Sequence, residues 1–192
     1  MIERDRLSVG ILAGGYSSRM GQDKAFLRWK DTTLIGHLCR ELSGFSEVLI
    51  SCREPNKFKG LPYPLVVDER EGFGPVEGIR RLLAGSSCEN IFICAVDMPF
   101  VTKELVDFLC EKKAPDTGCL AVRSERGIEP LCAIYHKNIL PELETMVKTG
   151  EHRMTDLLTR IAQQSVTPGE GGFSDEVVRN LNTPSEYENT EN

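Results

Sequence analysis

A chain of 192 residues, 40% hydrophobic and 27% charged, has the composition of an ordinary globular protein and the length of a single domain with a proper core. Its formal net charge of −6 argues against a general nucleic-acid or membrane-surface binder, although an anionic ligand remains compatible with locally placed cations. Seven cysteines, an odd count without a C-x-x-C pair, suggest neither a disulfide framework nor a zinc ribbon; most lie in apolar runs and read as buried, reduced thiols.

The N-terminus, M-I-E-R-D-R, mixes acids and bases and is not a signal peptide, and no apolar run reaches membrane-spanning length. A soluble, cytoplasmic protein without membrane contact is expected. Leu7 to Leu12 predicts a buried strand that stops at Gly14-Gly15. Ser17, Ser18, Arg19, Gly21, Asp23 and Lys24 follow. That inventory suits a phosphate-holding loop, where bare backbone N–H groups orient oxygens and Arg and Lys offset their charge. Ala25 to Trp29 reads as extended, turning at Lys30-Asp31. Asp31, Thr32 or Thr33 then caps a helix whose apolar face carries Leu34, Leu38 and Leu42, with Gly44 placed to end it.

Val48-Leu49-Ile50 predicts a strand ending at Ser51 and Cys52, and Leu65-Val66-Val67 one ending at Asp68. The stretch R-E-G-F-G-P-V-E-G places Pro75 at a first helical position, with Ile79, Leu82 and Leu83 as the apolar face. Gly78 inside that helix disfavours it by about 1 kcal/mol relative to Ala, so something must approach closely there. Ile91 to Val96 reads as a central strand ending at Asp97; Pro99 turns the chain and Thr102 opens a helix with Leu105, Val106 and Leu109.

The second half changes character. Cys119 to Val122 and Leu131 to Tyr135 predict strands around the charged turn R-S-E-R-G, an antiparallel portion of the sheet. Lys137 to Lys148 and Arg153 to Ala162 read as helices, P-G-E-G-G-F-S-D-E as loop, and Val177-Val178 as a short strand. Thr183, Pro184 and Glu186 match a capping box opening a short terminal helix. Alternating strands and helices imply an α/β fold with a mostly parallel, Rossmann-like sheet flanked by helices. In such sheets ligands bind outside the carboxyl ends of the strands, so Gly14, Ser51, Asp68 and Asp97 are expected at one edge.

The opening loop is neither a Walker A motif nor a G-x-G-x-x-G fingerprint. Leu12 to Lys24 instead resembles the signature L-A-G-G-x-S-x-R-M-G-x-D-K of the molybdenum cofactor guanylyltransferases, within the nucleotidyltransferase superfamily. G-P-V-E-G-I at 74–79 resembles that family's G-P-L-x-G-I, V-D-M-P at 96–99 its C-D-x-P, and Asn180 to Pro184 its N-x-N-T-P. Gly14-Gly15 and Asp23-Lys24 favour the guanylyl branch over relatives spelled L-A-A-G with a Pro-Lys pair.

The resemblance implies a fold of the nucleotide-diphosphosugar-transferase type. One domain is expected over 1–192, with a nucleotide-binding half to 100 and an acceptor-binding half from 101. It also implies transfer of GMP from GTP to molybdopterin with Mg²⁺. Leu12, Ala13, Gly14 and Gly15 would lie along GTP, Lys24 and Arg19 at its phosphates, Asp68 on the nucleotide and Asp97 on the metal. Ser51 stands where the family often has Asn near the nucleoside, and Arg153, Asn180 and Asn182 match positions near the pterin. A monomer is expected, with molybdopterin-delivering proteins and molybdoenzyme chaperones as protein partners. The alternatives are a cytidylyl or other small nucleotidyltransferase and a non-catalytic nucleotide-binding regulator. Structural alternatives also stand: Asp97 as a helix cap, Asp68 as a turn acid, Arg19 and Lys24 as solvated charges, Arg153 as a helix flank, Asn182 as a brace for the phosphate loop.

Overall fold

The computed structural model describes residues 1–14, 23–183 and 186–187. Its strands are β1 (Leu7–Leu12), β2 (Arg28–Trp29), β3 (Thr32–Thr33), β4 (Glu47–Cys52), β5 (Leu65–Val67), β6 (Asn90–Ala95), β7 (Cys119–Ser124), β8 (Gly127–His136) and β9 (Gln163–Val166). The helices are α1 (Leu34–Glu41), α2 (Pro75–Gly85), α3 (Lys103–Lys112), α4 (Leu140–Thr149) and α5 (Met154–Arg160). Seven strands form the main sheet in the order β5-β4-β1-β6-β8-β7-β9, while β2 and β3 make a small hairpin. β1 pairs in parallel with both β4 and β6, and β8 alone among the described strands of the main sheet runs against its neighbours.

The order places a switch point beside β1. The chain moves outward through β4 and β5, then returns across β1 to add β6 on its other side. The connections on the two sides diverge there, opening a crevice at the carboxyl ends of β1 and β6. Helices cover both faces. Val9 and Ile11 of β1 meet α1 and α3 on one face, while Ile91 and Ile93 of β6 meet α2, α4 and α5 on the other. β6 is therefore apolar on both sides, Phe92 and Cys94 on the first face and Ile91 and Ile93 on the second, which explains its continuous apolar run, while β1 sets Gly10 against α2.

Local chemistry sets the helix ends. Thr33 Oγ1 accepts from the Gly36 N–H at 3.2 Å and Thr102 Oγ1 from the Leu105 N–H at 3.3 Å, so threonines cap α1 and α3. Pro75 and Pro141 stand in the first turns of α2 and α4, where a missing N–H loses nothing. Gly78 explains its presence in α2: a Cβ there would lie 2.6 Å from Leu12 Cδ2 and 2.9 Å from Ser51 Oγ. The first turn of α2 thus rests directly on the ends of β1 and β4.

Two local expectations are corrected and one strand is added. Val177-Val178 belongs to a 3₁₀ turn, Asp175–Val178, whose two valines pack into the core without a partner strand. The helix predicted over 153–162 stops at Arg160, because Ala162 already offers its carbonyl to the Gly118 and Cys119 N–H groups. β9 then continues as an edge strand, unread in Q-Q-S-V because only Val166 is buried. All seven cysteines are free thiols, and six of them are buried, Cys88 being half-buried. Among the described residues no helix is long and apolar enough to cross a membrane.

Candidate active site

The crevice holds a cavity of about 390 Å³ lined by Leu12, Ala13, Gly14, Ser51, Asp68 and Asp97 among others. Each arrives from a strand end. Ala13 donates its N–H to the Ser51 carbonyl at 2.9 Å and Val96 to the Leu12 carbonyl at 3.1 Å, so pairing carries one residue past each strand. Beyond those last bonds the chain turns away and leaves side chains and backbone facing the crevice. Four separate strands therefore bring Gly14, Ser51, Asp68 and Asp97 to one edge, as the alternation of strands and helices requires.

Lys24 is the centre of the polar network. Its Nζ donates to Asp97 Oδ2 at 2.8 Å, to Asn182 Oδ1 at 3.0 Å and to the Leu181 carbonyl at 3.3 Å. Leu181 in turn donates its N–H to the Asp97 carbonyl at 2.8 Å, and the Tyr187 hydroxyl donates to the Leu181 carbonyl at 2.9 Å. Asp97 is not the cap of α3, a role that Thr102 fills. Asn182 contacts the lysine, and its own N–H and that of Thr183 are held by the Glu186 carboxylate, completing the expected capping box.

On the other wall, Ser51 Oγ donates to Asp68 Oδ1 at 2.9 Å, and Asp68 donates its N–H to the Cys52 carbonyl at 3.0 Å. Burial pushes the Asp68 carboxyl above the ordinary carboxylate range; the Ser51 bond opposes that, the Glu77 charge adds to it, and Arg53 and Arg81 oppose it. A Cβ on Gly14 would lie 3.1 Å from Asp68 Oδ2, so the glycine keeps this wall open to a ligand. Gly74 adopts φ 53° immediately before α2, a conformation that side chains resist, and it aims the first turn of that helix at the cavity.

Arg19 and Gly15 lie outside the described residues. Arg153 is exposed at the start of α5, away from the cavity lining, and its carbonyl serves the first turn of that helix. Asn180 is half-buried two residues before Asn182. Sequence reasoning passed over Arg53 and Leu131, which also line the cavity. Arg53 was readable as a cation directly after the strand ending at Cys52. Leu131 was not, because it reaches the crevice only through the reversed β8. The cavity lining thus contains three carboxylates, Asp23, Asp68 and Asp97, against two cations, Lys24 and Arg53, among the described residues.

The same architecture recurs in solved nucleotidyltransferase structures. The molybdopterin-guanine dinucleotide biosynthesis protein A from Archaeoglobus fulgidus superposes with a TM-score of 0.84 over 96% of each chain at 23% identity. The 2-C-methyl-D-erythritol 4-phosphate cytidylyltransferase from Thermus thermophilus does so with 0.71 over 96% of each chain at 20% identity. These likenesses establish the fold. Residues 9–166 match the model of the MobA-like NTP transferase domain, and the chain belongs to that family of enzymes. A relative from Methanosarcina mazei, named "Probable molybdenum cofactor guanylyltransferase", is 38% identical over 162 residues, 78% of this chain and 72% of its own. A relative of the same name from Carboxydothermus hydrogenoformans is 33% identical over 186 residues, 95% of this chain and 93% of its own.

Proposed function

We propose that the enzyme transfers GMP from GTP to the terminal phosphate of molybdopterin, forming molybdopterin guanine dinucleotide and pyrophosphate. The observation that carries the reading is the Lys24 ammonium, held between Asp97 and Asn182 at the mouth of the crevice. The names of the two relatives support the choice of donor and acceptor.

In this reading an anionic oxygen of the acceptor phosphate attacks the α-phosphorus of GTP. The bond from that phosphorus to the bridging oxygen breaks, and pyrophosphate leaves with the electron pair. The nucleophile is already ionised, so no serine, cysteine or histidine needs activation. Catalysis rests on alignment and on charge placed where the transition state develops it. Lys24 neutralises phosphate oxygens, with Arg19 assigned to the β- and γ-phosphates by the motif. Leu12, Ala13, Gly14 and Gly15 run along the nucleotide, and Asp68 accepts from it with Ser51 as its support.

Mg²⁺ fits this donor set. Asp23, Asp68 and Asp97 in the lining are oxygen donors of the kind a hard divalent cation takes. An ion shared with substrate phosphates needs one or two protein carboxylates and no protein cage. Asp97 would hold it, and bound there it would offset charge on the phosphates and on departing pyrophosphate. Asn180, Asn182 and Arg153 are assigned to the acceptor side.

The test is incubation with each of the four NTPs, Mg²⁺ and molybdopterin, followed by product analysis and pyrophosphate release. The GMP adduct is expected. A CMP adduct would move the enzyme to the cytidylyl reading, and nucleotide binding without pyrophosphate release to that of a regulator.

A further inference from the structure

Glu77 is the one fully buried carboxylate among the described residues, with 0% exposure in the first turn of α2. Burial alone would push its carboxyl up, but bonds from Arg80 and the Glu69 amide more than offset this and hold it below its ordinary value. Arg80 donates from Nε to Glu77 Oε2 at 2.8 Å and from Nη2 to Oε1 at 3.0 Å, while the Glu69 N–H donates to Oε1 at 3.0 Å. A buried ion pair adds little stability over a well-packed apolar side chain of similar size. Its neighbours Val76 and Ile79 are fully buried, so an apolar residue would suit the position as packing.

What the carboxylate does here that an apolar side chain would not is grip the backbone next to Asp68. Arg80 also donates to Glu69 Oε2 at 2.8 Å, Arg81 pairs with Glu69 Oε1 at 2.7 Å, and Arg81 Nε donates to the Val67 carbonyl at 3.1 Å. Side chains of α2 thus hold the residues on both sides of Asp68. The same helix seats Gly78 against Leu12 and Ser51. The distance between the two walls of the crevice is therefore set by one helix end.

We infer that Glu77 is a positioning residue for the nucleotide, its buried carboxylate fixing Asp68 through the Glu69 amide opposite Leu12 to Gly14. The inference rests on the proposed nucleotide site. The sequence pattern G-P-L-x-G-I leaves this position open, and the role emerges from the contacts of residue 77 alone.

The test uses the whole chain with a non-hydrolysable GTP analogue and Mg²⁺, comparing Glu77→Met and Glu77→Gln with wild type. Glu77→Met keeps the packing but frees the Glu69 amide. It is expected to weaken analogue binding and raise KM for GTP about 10-fold while leaving kcat at saturation within about twofold, the pattern of lost uniform binding. Its urea midpoint should fall, because Arg80 loses a buried partner and keeps only Glu69, and exchange of the Glu69 amide with solvent deuterium should speed up. Glu77→Gln keeps an acceptor oxygen and should recover most of the affinity. Wild-type affinity in Glu77→Met overturns the inference. If that variant does not fold, a Glu77→Gln protein that keeps wild-type affinity although its Glu69 amide has lost protection overturns it equally. If wild type binds no GTP analogue, the functional reading fails first, while the Glu69 exchange still shows whether Glu77 holds that amide.

Discussion

Replacing Gly78 by alanine sets two effects of known size against each other. In a helix interior the change favours the fold by about 1 kcal/mol. The added Cβ, however, would sit 2.6 Å from Leu12 Cδ2 and 2.9 Å from Ser51 Oγ, about 1 Å inside ordinary carbon contact for the first. Leu12 Cδ2 is the end of a flexible side chain and can swing, but Leu12 also lines the crevice cavity, so its displacement would alter that lining. Ser51 has less freedom, since its hydroxyl is committed to Asp68 at 2.9 Å. Crowding of this kind opposes folding by about 1–3 kcal/mol, so the net destabilisation is expected at about 0–2 kcal/mol. The effect on function should be larger, with KM for GTP rising about 10-fold as Leu12 encroaches and Asp68 loses its support. Urea unfolding followed by circular dichroism gives the first quantity and initial-rate kinetics the second. A Gly78→Ala protein that gains about 1 kcal/mol and keeps its KM would refute the reasoning, because propensity alone would then account for it.

Lys24→Ala and Asp97→Ala should each lower kcat/KM by at least about 10²-fold, the scale of one lost transition-state charge contact, while both proteins remain folded; near wild-type rates in both would show that the reaction occurs elsewhere. Ser51→Ala removes the bond that opposes the upward shift of Asp68. If ionised Asp68 accepts from the nucleotide, affinity is present above its pKa and lost as pH falls through it, so the acid limb of binding should move to higher pH in this variant. Calorimetric Kd values across pH check this, and a limb that moves down contradicts it. Tyr187→Phe removes the hydroxyl that donates to the Leu181 carbonyl at 2.9 Å and should cost about 1 kcal/mol in chemical denaturation. An unchanged midpoint would show that the terminal segment is held without that bond.

Much of this molecule can be read from residue order because its central parallel strands carry buried β-branched residues. Val9, Ile11, Ile91 and Ile93 announce themselves without any partner in view. The glycine in α2 was legible for the complementary reason, since a residue that disfavours its own helix points to a neighbour too close for a side chain. β9 escaped notice because an edge strand buries little, and Val177-Val178 was misread as a strand because two apolar residues carry no period. For the site, strand ends named Ser51, Asp68 and Asp97 in advance, whereas Leu131 depended on the register of β8 against β6, which no local pattern encodes. Glu77 was invisible for a different reason. A glutamate in a first helical turn ordinarily serves the helix dipole in water, and only packing reveals that this one is sealed inside.

The bonds from Lys24 to Leu181 and Asn182 join positions 157 and 158 residues apart. During synthesis the lysine emerges well before these two partners. The sheet strands β1, β4 and β6 can already pair while the chain is still being extended, yet the ammonium lacks two of its three described anchors until residue 182 has cleared the ribosome. Competence for catalysis is therefore expected to arrive as a late, discrete event, separate from acquisition of the fold, and a nascent chain halted before Leu181 would have a sheet without a finished enzyme.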